Sequence, residues 1–107
     1  MKYYPVFWDI QEKRCIVVGG GEVAFRKVKR LLECGAQVSV INPQLMPDFI
    51  SLKAENAFAH IAADYDIEYL AGAVFVIGAT DNEKINGSIC ADARSMGIPV
   101  NIVDDPQ

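Results

Sequence analysis

The residues with chemical potential cluster in a few short stretches, and the most distinctive is Gly19-Gly20-Gly21-Glu22-Val23-Ala24. It fits G-x-G-x-x-[GA], in which the first glycine permits a sharp turn and alanine lets the following helix pack close to a strand. The third glycine of the run lets backbone approach a pyrophosphate with no Cβ in the way. A bare strand-to-helix turn needs one glycine, so three followed by alanine favour a bound ligand. The unpaired amides of the helix start would then face the phosphates of a dinucleotide.

A second stretch, Asn42-Pro43-Gln44, stands where NAD binders usually place an acidic residue on the ribose and NADP binders often place arginine. An amide still bonds a ribose hydroxyl, and no arginine is at hand for a 2′-phosphate, so the pattern favours NAD over NADP. Thr80, Asp81, Asp104 and Asp105 follow buried strands, at the end where such folds hold ligands. Asp104 directly follows an apolar run and can serve as a general base or bind a metal; the alternative is a solvated carboxylate beside Asp105 and Pro106. For Asp81 the favoured expectation is capping, the Thr80-Asp81 pair closing the start of the next helix. His60 has no evident partner and reads as a surface or satisfied structural histidine. Arg26 and Lys27 belong mostly to a solvated helix face, near enough to its start to reach an anionic ligand.

The elements that position these residues follow from periodicity. Residues 14–18 form a continuous apolar run ending in glycine, the mark of a strand buried on both faces. Residues 22–34 carry apolar side chains at helical spacing, with Gly35 as the stop. A β-branched strand over 37–41 ends at Asn42-Pro43, where proline ends regular pairing. A weaker helix over 47–55 and a short strand within 58–62 come next. Residues 73–79 form another buried strand, a helix runs from Thr80-Asp81 to about Ser95 with Gly97 as its stop, and 99–103 supply a last strand. Alternating strands and helices imply right-handed βαβ crossovers and a single α/β domain with a doubly wound, mainly parallel Rossmann-type sheet.

Composition narrows the classes further. With 107 residues, 51% of them apolar, the chain suits one domain, and it contains no apolar run long enough to cross a bilayer. No secretion signal opens it, so a cytoplasmic location and no membrane partner are expected. The net charge of −4 argues against a nucleic-acid partner. Cys15, Cys34 and Cys90 are widely separated within apolar runs and read as small buried hydrophobes, so no resident metal is expected.

Taken together, Tyr3-Tyr-Pro-Val-Phe-Trp-Asp9, the segment from Cys15 to Lys27, Gly78-Ala-Thr-Asp81 with Asn86, and Val100-Asn-Ile-Val-Asp-Asp-Pro106 resemble the N-terminal domain of the siroheme synthase family. The likeness spans the chain, and G-G-G-x-V-A-x-R-K and V-N-x-V-D-x-P are more specific than a generic dinucleotide turn. It implies NAD-dependent oxidation of precorrin-2 to sirohydrochlorin, an octacarboxylate tetrapyrrole. Many members are also ferrochelatases, a lyase activity that takes ferrous iron as substrate. By position, it puts Glu22 and Val23 on the cofactor turn, Pro43 and Gln44 at the adenosine end, Thr80 and Asp81 beside the cofactor, and Asp104 on the catalytic aspartate. It also implies that family chains continue into dimerisation and small helical regions beyond the span of residues 1–107, and act as homodimers. The competing reading is a non-catalytic NAD-binding regulatory module. Such modules usually keep an acidic residue where Asn42 stands.

Overall fold

The computed structural model describes residues 2–55 and 57–103. Five strands form one sheet: β1 (Arg14–Val18), β2 (Gln37–Ile41), β3 (Ala59–Ile61), β4 (Phe75–Gly78) and β5 (Val100–Ile102). They lie in the order β3-β2-β1-β4-β5, and every pair is parallel. Helices α1 (Glu22–Glu33), α2 (Phe49–Ala54) and α3 (Glu83–Ser95) connect them, with a 3-10 turn at Ile67–Leu70 between β3 and β4.

The central strand explains the architecture. Its side chains alternate across the sheet, so Cys15 and Val17 pack with Val28 and Leu31 of α1 and Phe49 of α2. Ile16 and Val18 instead pack with Ile89 and Ala93 of α3 and Leu70 of the 3-10 turn. Apolar cover on both faces is what a parallel sheet requires, and it accounts for the unbroken apolar run in the sequence. The chain winds from β1 outward to β3, then returns to β4 on the other side of β1. The carboxyl ends of β1 and β4 therefore lead into connections that diverge, and a crevice opens between them.

Polar groups are satisfied where they enter this core. Ser39 is buried and accepts a hydrogen bond from Arg14 Nη1 at 3.1 Å, while Arg14 Nη2 donates to the carbonyl of Tyr69. Tyr65 donates to Asp92 Oδ2 at 2.7 Å and ties the segment before the 3-10 turn to α3; burial and that acceptor raise its hydroxyl pKa. At the N-terminus, Tyr3, Tyr4, Val6 and Phe7 are exposed, and Trp8 packs edge-on against Phe75.

Three expectations are corrected. Helix α3 begins at Glu83 rather than at Thr80-Asp81, and its cap is Asn82, whose Oδ1 accepts from the Ile85 amide at 3.0 Å. The Thr80 hydroxyl lies one turn earlier, donating to Asn86 Oδ1 at 2.7 Å and accepting from the Asn82 amide at 3.2 Å. Of the cysteines only Cys15 is buried; Cys34 is exposed beyond the last turn of α1 and Cys90 is half-buried. Burial, with the neighbouring Cys34 as a lesser cause, raises the Cys15 thiol pKa. The expected helix over 47–55 is confined to Phe49–Ala54, held by burial of Phe49 against Phe25 and Phe58. Among the described residues, no helix is long and apolar enough to cross a membrane.

Candidate functional site

A cavity of about 640 Å³ opens at the carboxyl ends of β1 and β4. Its floor is the glycine turn, and Glu22 and Val23 at the start of α1 continue it. Asn42 lines it from the end of β2. Ala79, Thr80 and Asp81 line it from the end of β4, with Glu83 and Asn86 of α3 and Val103 after β5.

The three glycines have different physical causes. Gly19 has φ +140°, and a Cβ there would meet the Ala79 carbonyl oxygen at 2.5 Å, so the exit from β1 demands glycine. A Cβ on Gly20 would stand 2.2 Å from the Gln44 carbonyl oxygen. The connection after β2 is pressed against this residue, with the Met46 amide donating to the Gly20 carbonyl at 2.7 Å. Gly21 is different: its φ of −101° and ψ of −160° suit any residue, and an added Cβ would meet nothing within 4 Å. The fold needs the first two glycines and leaves the third open toward the cavity. Gly21 is also the N-cap of α1 without a side-chain acceptor, so the first-turn amides of the helix have no side-chain cap. These are the features of a cradle for a phosphate group.

The far wall is held by Asn86. Its side chain is buried; Oδ1 accepts from the Thr80 amide (3.3 Å) and hydroxyl (2.7 Å), and Nδ2 donates to the Thr80 carbonyl (3.0 Å). One amide thus fixes the main chain and side chain of Thr80 together. Asn86→Ala is expected to lower the unfolding free energy by about 1–3 kcal/mol, since it removes three hydrogen bonds between the buried Asn86 amide and half-buried Thr80. Denaturant unfolding measures this, and Asn86→Asp, which sets a buried carboxylate oxygen against the Thr80 carbonyl, is expected to be destabilised as well.

The expected site residues Gly19, Gly20, Gly21, Glu22, Val23, Asn42, Thr80 and Asp81 all line the cavity. Pro43 and Gln44 lie exposed in the adjoining connection, and the Gln44 carbonyl accepts from Asn42 Nδ2 at 2.6 Å. Asp104 and Asp105 lie outside the described residues. His60 is a structural histidine: its Nε2 bonds the Asn42 carbonyl oxygen at 2.9 Å. Arg26 and Lys27 of α1 do not line the cavity, whose charged lining is acidic: Glu22, Asp81 and Glu83. Ala79, Glu83, Asn86 and Val103 also line the cavity, beyond the site residues expected from sequence. Ala79 and Asn86 are legible only as parts of a motif, and nothing local marks Glu83 or Val103.

Comparison with known proteins agrees with this arrangement. Residues 6–107 match the model of a family described as "Putative NAD(P)-binding". The siroheme synthase of Methylobacillus flagellatus is 41% identical over 107 residues, covering 100% of this chain and 23% of that relative. That of Chromobacterium violaceum is 38% identical over 107 residues, again covering 100% and 23%. The chain thus spans less than a quarter of the length of these curated relatives. Among solved structures, the precorrin-2 dehydrogenase SirC has the same fold, with a TM-score of 0.78 at 24% identity over 98% of this chain and 51% of that one. With the glycine cradle and the crevice above it in place, the match over residues 6–107 completes the assignment: the chain belongs to this NAD(P)-binding family, and its cofactor class is the nicotinamide dinucleotides.

Proposed function

We propose that the chain is the dinucleotide-binding part of an NAD-dependent precorrin-2 dehydrogenase that works in siroheme biosynthesis in the cytoplasm. The observation that carries the proposal is the open Cβ position of Gly21 on the cavity floor, which the fold itself does not require. The names of the relatives, siroheme synthase and precorrin-2 dehydrogenase, supply the substrate. NAD is favoured over NADP because no lysine or arginine is among the residues lining the cavity, so a 2′-phosphate would meet no cation there.

In this reading the Gly20 and Gly21 backbone and the first-turn amides of α1 hold the pyrophosphate. Asn42, Pro43 and Gln44 flank the adenosine end, and Thr80 and Asp81 the nicotinamide end. Oxidation of precorrin-2 removes a hydride and a proton from the macrocycle. Bound NAD supplies the hydride acceptor. Asp104, next in sequence to the cavity-lining Val103, takes the proton as general base. The same carboxylate is available to take pyrrole protons if ferrous iron is inserted afterwards. Because the charged lining is acidic, an octacarboxylate must be gripped by basic surface elsewhere, in the longer protein or across a homodimer.

The test is NADH formation from precorrin-2, followed by absorbance. It uses the chain itself and a chimera in which residues 1–107 replace the matching segment of the Methylobacillus flagellatus siroheme synthase. The chimera is expected to reduce NAD. A folded chimera that binds NAD yet never reduces it would sink the enzyme reading and leave a regulatory module in its place.

A further inference from the structure

The corner where β4 leads into α3 is fixed by side chains other than its own carboxylate. Asn86 pins the Thr80 main chain twice, accepting from its amide at 3.3 Å and donating to its carbonyl at 3.0 Å. The Thr80 hydroxyl accepts from the Asn82 amide at 3.2 Å, and Asn82 Oδ1 caps α3 through the Ile85 amide. Asp81 therefore sits between two secured residues, and among the described residues its carboxylate takes no part in the network that secures them. With Asn82 as the cap, the fold gives the Asp81 side chain no task. It is exposed and lines the cavity, as does Glu83 in the first turn of α3.

Nothing in the lining offsets these two charges. No lysine or arginine is among the lining residues, and Lys84, which follows Glu83 in the chain, is exposed without joining them. Asp81 and Glu83 belong to the β4 side of the crevice, whereas the glycine cradle belongs to the end of β1. A pyrophosphate on that cradle carries the same charge in either redox state of a nicotinamide dinucleotide. The two states differ at the ring, which is a cation when oxidised and neutral when reduced.

We propose that Asp81 and Glu83 make the cavity selective for the redox state of its cofactor, favouring the cationic oxidised ring and letting the neutral reduced form go. This rests on the reading above, in which the nicotinamide end lies beside Thr80 and Asp81. A carboxylate and a cation attract measurably even at an exposed site. Hydride transfer from the substrate brings two electrons and one hydrogen to the ring and cancels its charge, while the accompanying proton goes to a base. The attraction ends with that step. NADH then has one more net negative charge than NAD and faces a lining whose charged members are Glu22, Asp81 and Glu83. Product release follows from the chemistry itself, and NADH is a weak inhibitor of the next turnover.

The test titrates the chain with NAD and with NADH, reading Kd by calorimetry at low and high salt. The wild-type chain is expected to bind NAD roughly three- to tenfold tighter than NADH at low salt, the size of one or two exposed charge interactions. The ratio is expected to fall towards one at about 1 M salt, where screening acts within roughly 3 Å. Asp81→Asn and Glu83→Gln are each expected to narrow the ratio, and the double variant to narrow it further. Glu22→Gln, beside the pyrophosphate common to both ligands, is expected to shift both Kd values together. Equal wild-type affinity, tighter binding of NADH, or a ratio that the double variant leaves unchanged would overturn the proposal. A purely structural role at the start of α3, where negative charge is favourable, would lower the variants' stability in denaturant and leave the ratio at its wild-type value. If the chain bound neither form, the cofactor reading itself would fail, which is a separately visible result.

Discussion

Replacing Gly21 with aspartate is expected to make the domain slightly more stable and almost unable to hold NAD. Gly21 occupies the N-cap of α1 in extended geometry that any residue adopts, and its missing Cβ faces open space. Aspartate is among the best N-cap residues, and over glycine it is expected to add a few tenths of a kcal/mol by accepting a first-turn amide. The same carboxylate would stand where the pyrophosphate is proposed to lie. Like-charge juxtaposition in a confined site costs several kcal/mol, so NAD affinity is expected to fall by roughly a hundredfold or more. Gly20→Ala provides the contrast, because its Cβ would press on the Gln44 carbonyl of the backbone and is expected to cost about 1–3 kcal/mol of stability. Denaturant unfolding and NAD titration of the two variants separate the roles. A Gly21→Asp variant that binds NAD like the wild-type chain would remove the turn as the pyrophosphate seat.

Asp104→Ala is expected to lower the rate of precorrin-2 oxidation in the chimera by roughly 10²–10⁴-fold, the usual contribution of a positioned general base. NAD affinity is expected to stay unchanged, because the proposed cradle is built from the glycine turn and the first turn of α1. Stopped-flow NADH formation under single turnover, beside an NAD titration, reads the two quantities independently. Unaltered turnover would strip Asp104 of its role while leaving the family assignment intact. A loss of NAD affinity equal to the loss of rate would recast the residue as part of the cofactor site.

Much of this molecule is written locally in its sequence. The bounds of β1 and β2 match their apolar runs, and α1 ends at Glu33 just before Cys34 and Gly35, because periodicity and glycine act over a few residues. The cavity floor was legible for the same reason. What escaped depends on contacts between distant segments. Thr80, Asp81 and Asn82 are all plausible caps; Asn82 takes the role by accepting from the Ile85 amide, while the Thr80 hydroxyl accepts from the Asn82 amide and donates to the buried Asn86. The 3-10 turn is too short for periodicity to show, and burial of Leu70 under α3 holds it. Gly20 is indistinguishable from its neighbours as a letter; the Gln44 carbonyl, brought in by another connection, gives it a purpose.

The alternation within β1 restricts where a chain of this kind can change length. Inserting or deleting one residue between Arg14 and Val18 would turn each side chain to the opposite layer and displace Gly19 from beneath Ala79 in the same event. Two cores and the ligand seat would fail together, with no partial accommodation available. The irregular stretch at residues 62–64 carries no such coupling, since it leaves the edge strand β3 before Tyr65 ties the chain to α3. Viable insertions and deletions should therefore collect there, and β1 should keep its length however far its side chains diverge.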